Sequence, residues 1–279
     1  MDVTRPTKAT PIEFDREMST HVVLHRIFGG CLHHAEVNAK LIDRVTPEAC
    51  HQARVSLRRA RSALWLFRDH LDKKIRKPLD RSLRTVGRQL SPLRDWDVFV
   101  HDTLPKLAKR EKADWIGHLG EAAEAKRLSL YQEFHVDIPQ PTSEVLSQLS
   151  AGYPFSMIGT AASDMLDVAY FVVRVRSRRV ATPVERHDLR KAMKKLRYGV
   201  EFFSRLYDSK RVRAFLDHCK AMQDVLGEIN DAQTVIHLLQ ELGDVPKEWQ
   251  GGTEQREAKA VDHLAKHISR FRDARPFWD

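Results

Sequence analysis

An all-α fold is predicted for this chain, and three observations predict it. Apolar residues recur three and four apart through most long stretches, the period of a helix with one buried face. The alternation that marks strands is weak throughout. Pro and Gly fall mainly between the periodic stretches. Taken in order, the helices are expected near 15–43, 47–70, 73–90, 92–110, 112–135, 144–150, 156–180, 183–206, 210–226, 228–243 and 253–273. Thr46-Pro47 and Thr182-Pro183 are helix starts, with Thr as cap and Pro at the first helical position. Thr182 and Glu185 also have capping-box spacing. Pro139-Gln140-Pro141-Thr142-Ser143 reads as a linker, because each Pro disfavours helix at the residue before it.

An internal repeat organises the chain. At an offset of 136, His51 meets His187, Arg54 meets Arg190, Arg58 meets Lys194, Arg59 meets Lys195, Arg61 meets Arg197 and Phe67 meets Phe203. The same offset brings Thr46-Pro47 onto Thr182-Pro183, Leu90 onto Leu226 and Asp95 onto Asp231. A cap, a basic helix, a second helix and a third helix start thus share one register, which is the mark of duplication. The expected division is an extension at 1–14, a first helical bundle at 15–138, the linker at 139–143 and a second bundle at 144–279.

Charge follows the repeat. Residues 51–97 hold 13 Lys/Arg against 5 Asp/Glu, a net of +8; residues 187–233 hold 10 against 7, a net of +3. The whole chain is +9, so the excess lies in the two copies. A basic balance of this kind favours polyanions as partners.

On a helix at about 100° per residue, Ala53, Leu57, Ala60, Leu64 and Phe67 form a core-facing arc. His51, Arg54, Arg58 and Arg61 fall together beside it. The second copy sets His187, Arg190, Lys194 and Arg197 beside Leu189, Met193, Leu196, Val200 and Phe203. Arg59 and Lys195 lie on the far side of these stripes. Like charges so spaced repel, and the first copy has no carboxylate between Arg54 and Arg68. A row of cations without interleaved acids calls for an external anion. Guanidinium forks suit phosphate, and His can become cationic beside it. The next helix of the first copy adds Lys77, Arg81, Arg84 and Arg88, whose counterparts are Arg213, Asp217, Lys220 and Asp224. The first copy is therefore expected to dominate. Asp95 and Asp231 read as residues of helix starts, and Trp65 and Tyr198 as packing residues.

Cys31, Cys50 and Cys219 form neither a disulfide framework nor a zinc pattern, so buried thiols in a reducing compartment are expected. The N-terminal segment lacks the apolar run of a secretory signal, and no run suits a membrane span, so a cytosolic location is expected.

The blocks HQARVSLRRARSALWLF and HDLRKAMKKLRYGVEFF, followed by LSPLRDWDV and LGEINDAQT, resemble the two signature blocks of the CHAD family, the conserved-histidine α-helical domain. The resemblance implies two helical bundles related by a pseudo-two-fold axis, with basic helices lining a central groove or pore. It implies binding of inorganic polyphosphate, association with polyphosphate granules, and phosphate contacts from His51, Arg54, Arg58, Arg61, His187, Arg190, Lys194 and Arg197. Arg59, Lys195, Lys77, Arg81, Arg84, Arg88 and Lys220 are ranked as secondary. Lys in place of Arg at 194 and 195, and the acidic Asp217 and Asp224, depart from equal halves.

Two other function classes fit parts of the sequence less well. A metal-dependent phosphohydrolase would draw on His101-Asp102, His187-Asp188, the His21/His25 pair or His33-His34. The repeat partner of Asp188 is Gln52, so no metal ligand is shared by the copies, and neither catalysis, a cofactor nor a metal is expected. A nucleic-acid binder would want exposed aromatics and Asn/Gln among its cations, and the stripes lack both.

Overall fold

The computed structural model describes residues 5–109, 115–141, 143–149, 156–243 and 247–278; Thr142 of the linker and parts of the expected helices near 110–114 and 150 lie outside them. The helices are α1 (Thr20–Ala39), α2 (Pro47–Leu66), α3 (Lys73–Val98), α4 (Leu104–Ala108), α5 (Trp115–Gln132), α6 (Ser143–Leu149), α7 (Ile158–Arg176), α8 (Pro183–Phe203), α9 (Ser209–Glu241) and α10 (Lys247–Asp273). Among the described residues there is no strand, only an isolated antiparallel bridge between Ser19 and Met157. The fold is all-α.

The local start signals act as their chemistry suggests, with one exception. The capping box of α8 is complete: Glu185 N donates to Thr182 Oγ1 at 3.2 Å, and Thr182 N donates to Glu185 Oε2 at 2.9 Å. Thr46 makes no such side-chain bond, and Ala49 stands where a reciprocal Glu would be. Two expected breaks do not occur. α3 runs through Pro92, and α9 runs through Gly227. A helix-interior Pro costs roughly 3 kcal/mol. Around Pro92 that cost is offset by burial of Leu90, Leu93 and Trp96. Beyond Val98 the chain continues as a π-helical turn, Phe99–Thr103, into α4.

The two halves share one core. A single apolar cluster joins residues of α1, α2 and α3 to residues of α7, α8, α9 and α10. All ten residues of the two predicted core arcs are buried within it. A smaller cluster gathers Trp96, Phe99, Leu104, Ala123, Leu238 and Leu239. α2 packs along α8, and small residues permit the approach. A Cβ on Gly199 of α8 would stand 3.2 Å from side-chain carbons of Leu66 in α2 and Leu166 in α7. Its repeat partner is the buried Ala63. The chain ahead of α1 meets the chain ahead of α7 in the same register: Thr20 N donates to Ser156 O and Ile158 N donates to Met18 O, both at 2.9 Å. Thr20 and Ser156 are themselves 136 residues apart.

Candidate polyanion-binding seam

The basic stripes of α2 and α8 come together. Packing the core arcs of both helices into one cluster turns their neighbouring arcs toward a common seam, so Arg54 and Arg58 of α2 lie in electrostatic reach of Arg190 and Lys194 of α8. All four are partly buried. Burial is the first cause that lowers the pKa of Arg190, with Arg58 and Arg54 adding to it. Lys194 is pushed down to about 6 by burial, then by Arg58, Arg190 and Arg54. Arg54 is also lowered by burial, against the opposing pull of Asp95.

The structure corrects the expectation of an acid-free row. Acids absent from the α2 stripe arrive from α3, and α8 supplies its own in Glu201. Arg54 Nη1 donates to Asp95 Oδ1 at 3.3 Å and to the Ser91 carbonyl at 3.2 Å. Arg61 Nε donates to Asp80 Oδ1 at 2.8 Å, and Arg84 holds the other oxygen of Asp80 at 3.0 Å. Arg197 donates to Glu201 at 2.7 Å and to Gln223 at 2.9 Å. Arg58, Arg190 and Lys194 have no ion-pair partner within salt-bridge distance among the described residues. Asp95 and Asp231 do not start helices: Asp95 is near the end of α3 and Asp231 is inside α9. Asp95 faces Arg54, and Asp231 faces Arg190 and Lys194.

The histidines border the seam. His51 is lowered by burial first, then by Arg94, Arg58 and Arg54, with Glu48 opposing. His187 is more exposed and is lowered by burial, Lys191, Arg190 and Lys194, with Asp188 opposing. Asp188 itself is held by Lys191 at 2.7 Å and Arg176 at 3.4 Å. Arg94 of α3 joins these histidines. It stands in reach of both His51 and Asp97, so it adds a cation on the α3 side that the α2 stripe does not show.

The off-stripe pair joins the helices. Arg59 pairs with Glu201 of α8 and sits over the rings of Tyr198 and Phe202 at 5.4 and 4.8 Å. Lys195 Nζ lies 4.5 Å from the centre of Trp65 in α2, whose ring Arg68 also covers at 4.6 Å. Burial first, then Arg61, lowers Lys195 to about 8. The two contacts are reciprocal, because Glu201 is the repeat counterpart of Trp65. Trp65 and Tyr198 therefore receive cations rather than only packing. On α3, Lys77, Arg81, Arg84 and Arg88 are exposed. On α9, Lys220 is tied to Asp224 at 3.0 Å.

Histidines and carboxylates of metal-ligand type do not gather among the described residues. Among the described residues no group of three His, Cys, Asp or Glu is placed to hold an ion. His34 has both ring nitrogens engaged, with Ser56 Oγ at 2.5 Å and the Thr7 carbonyl at 2.7 Å. The three cysteines are free and buried, and burial raises Cys31 to about 11 and Cys50 to about 12. No helix among the described residues is long and apolar enough to cross a membrane.

Comparison with known proteins agrees with this architecture. Residues 26–240 match the family model of the CHAD domain. The crystal structure of the CHAD domain from the plant Ricinus communis superposes with a TM-score of 0.73 at 25% identity, over 97% of this chain and 96% of that one. PptA from Streptomyces chartreusis superposes with a TM-score of 0.57 at 15% identity, over 92% of this chain and 99% of that one. No protein of curated function matches the sequence. With its doubled His/Arg signature, its all-helical architecture and a family match across most of its length, the chain belongs to the CHAD family.

Proposed function

We propose that the protein binds inorganic polyphosphate along the seam between α2 and α8, as a binding protein without catalysis. One observation carries this reading: Arg58, Arg190 and Lys194, from both helices, are gathered with Arg54 and have no ion pairs of their own among the described residues. Partly buried cations held together at such cost call for an anion from outside. A linear phosphate chain has a charge on every phosphorus and no base to be read, which suits a seam of guanidinium and ammonium groups. Membership of the CHAD family supports the same ligand and a place at polyphosphate granules. The reciprocal contacts of Arg59 with Glu201 and Lys195 with Trp65 support two bundles related by a local two-fold, with the seam along their junction. The exposed row on α3 would extend the track on the first half, while Asp224 neutralises Lys220 on the second.

The test is a competition titration of long-chain polyphosphate against single-stranded DNA and ATP at physiological salt. Polyphosphate should win, and its affinity should fall steeply as salt rises. The variant Arg54→Ala/Arg58→Ala/Arg190→Ala/Lys194→Ala should keep the helical circular-dichroism signal and lose binding. Retained affinity in that folded variant would place the site elsewhere. Turnover of polyphosphate that depends on an added divalent cation would replace binding with hydrolysis.

A further inference from the structure

We infer that the outward face of α7 is a homodimer interface, on which α7 of a second copy packs antiparallel about a two-fold axis at Phe171. This face lies on a different helix from the basic arcs of α2 and α8. The inference therefore goes beyond the polyphosphate reading and does not depend on it.

α7 is apolar on two sides. Its inward residues align with those of α1 at an offset of 138: Leu24, Phe28 and Leu32 of α1 correspond to Ala162, Leu166 and Tyr170 of α7, and all six are buried. The bridge between the two N-cap residues, Ser19 and Met157, has the same offset. At about 100° per residue, Val168, Phe171 and Val175 fall together nearly opposite that inward arc. All three are exposed, Phe171 at 66%. A helix that is apolar all round is one covered on both sides. On α1 the chain covers the equivalent face itself, with residues 7–13. Arg26 Nη1 donates to Glu13 O at 2.7 Å, and Asn38 Nδ2 donates to Thr7 O at 3.2 Å. The same Thr7 oxygen lies 2.7 Å from His34 Nε2. Ile12 Cδ1 would stand 3.4 Å from a Cβ on Gly30. The corresponding positions of α7 are Asp164, Val172, Val168 and Arg176. Arg176 is already paired with Asp188 at 3.4 Å. A strap over α7 would thus lack the donors that hold the one over α1, whereas an open row of apolar side chains suits another helix.

The charges at the two ends of the row choose the occupant. Asp164 stands seven residues before Phe171, and Arg178 stands seven after it. The helical turn continues as far as Arg178, whose N donates to Val175 O at 3.3 Å. Seven residues is about two turns, or about 10.5 Å along the axis. Both charged residues are exposed, and among the described residues neither has an ion pair. With Phe171 on the axis, antiparallel pairing sets Asp164 of each copy beside Arg178 of the other. Val168 of each copy meets Val175 of the other around the two central rings. Every contact occurs twice, as an isologous interface requires. Parallel pairing would set Asp164 against Asp164 and Arg178 against Arg178. An aromatic centre, apolar neighbours and a charged rim match the anatomy of a protein interface.

The experiment is sedimentation velocity of the full chain over a concentration series, without polyphosphate. Wild type should pass from monomer to dimer in the micromolar range. Phe171→Asp, at an exposed position, should keep the wild-type circular-dichroism spectrum and stay monomeric. Asp164→Arg and Arg178→Asp should each weaken self-association by about tenfold or more, because each sets like charges together at both ends of the row. Mixed in equal amounts, these two variants should associate again, since each supplies the charge that the other has lost. Damage to the fold of either variant would not be repaired by mixing. If wild type is monomeric throughout the series, the inference falls. It falls equally if Phe171→Asp dimerises as wild type does, or if the mixture associates no better than either variant alone, because the contact then lies elsewhere. Polyphosphate binding is not read in any arm, so these outcomes leave the seam between α2 and α8 to its own test.

Discussion

Phe67 and Phe203, 136 residues apart in the sequence, meet edge to face where α2 ends against α8, with ring centroids 5.9 Å apart and planes at 63°. Both rings are fully buried, and they belong to the cluster that joins the two halves. A shared core of this kind couples the halves in folding. Phe203→Ala is expected to destabilise the protein by about 3–5 kcal/mol, through lost burial and the cavity left behind. Urea unfolding followed by circular dichroism should show one transition at a lower midpoint. Two separate transitions, with the first half unaffected, would mean that the halves are independent.

A second stability prediction concerns a buried polar knot between α3 and α5. Asp97 of α3 accepts from Arg127 at 3.2 Å and from the Tyr131 hydroxyl at 2.7 Å. Asp97 and Arg127 are both buried, and burial raises the Asp97 carboxyl above its usual range. Glu124 completes the set, at 2.7 Å from Arg127. Removing the cation strands a buried carboxyl, so Arg127→Ala should cost about 3–5 kcal/mol. Tyr131→Phe leaves Asp97 its Arg127 bond and should cost only about 1–2 kcal/mol. Chemical denaturation measures both. A folded Tyr131→Phe variant should bind polyphosphate as wild type does, and a loss of affinity would tie this knot to the site.

Much of this was legible in the sequence because it rests on period and register. The helical period exposed the fold, and the offset of 136 paired Arg54 with Arg190 and Phe67 with Phe203 before any contact was known. The exceptions have physical causes. Pro92 and Gly227 read as breaks, yet buried neighbours such as Leu90, Leu93, Leu226 and Ile229 keep α3 and α9 continuous. Asp80, Asp95 and Asp231 are distant in sequence from the cations they face, so no local pattern on α2 or α8 could report them. For the same reason the α2 stripe read as uniform, although Arg61 is paired and Arg58, among the described residues, is not; on α8 the partner of Arg197, Glu201, lies one turn on in the same helix.

That difference sets an order among the cations. Arg61 shares Asp80 with Arg84, and Arg197 shares Glu201 with Arg59. A phosphate that recruits them must compete with those carboxylates. Arg58→Ala and Arg190→Ala are therefore expected to weaken polyphosphate binding by about 1.5–3 kcal/mol each, the range of a charge-assisted hydrogen bond. Arg61→Ala and Arg197→Ala should cost less, within about 1 kcal/mol. Fluorescence titration at several salt concentrations checks both points, since each lost phosphate contact should also flatten the salt slope by somewhat under one unit. Equal losses at all four positions would show that the carboxylates give way to the ligand without cost.

The crowded lysine also makes the ligand-free protein sensitive to pH, with a definite sign. In the folded seam Lys194 titrates at about 6, against an ordinary value of 10.5. Between those values the unfolded chain binds the proton and the folded chain does not. Raising the pH therefore favours the folded state across that window, and lowering it toward 6 removes the advantage. His51 and His187 are lowered too, so below 6.5 they act in the same direction. The midpoint of thermal unfolding should accordingly rise between about pH 6.5 and 8.5 without ligand. Lys194→Met removes the titrating group and should flatten that rise. Saturating polyphosphate should flatten it as well, because a bound anion restores the charged form of the lysine in the folded state. An unliganded wild-type midpoint that falls across this range would contradict the crowding of cations at the seam.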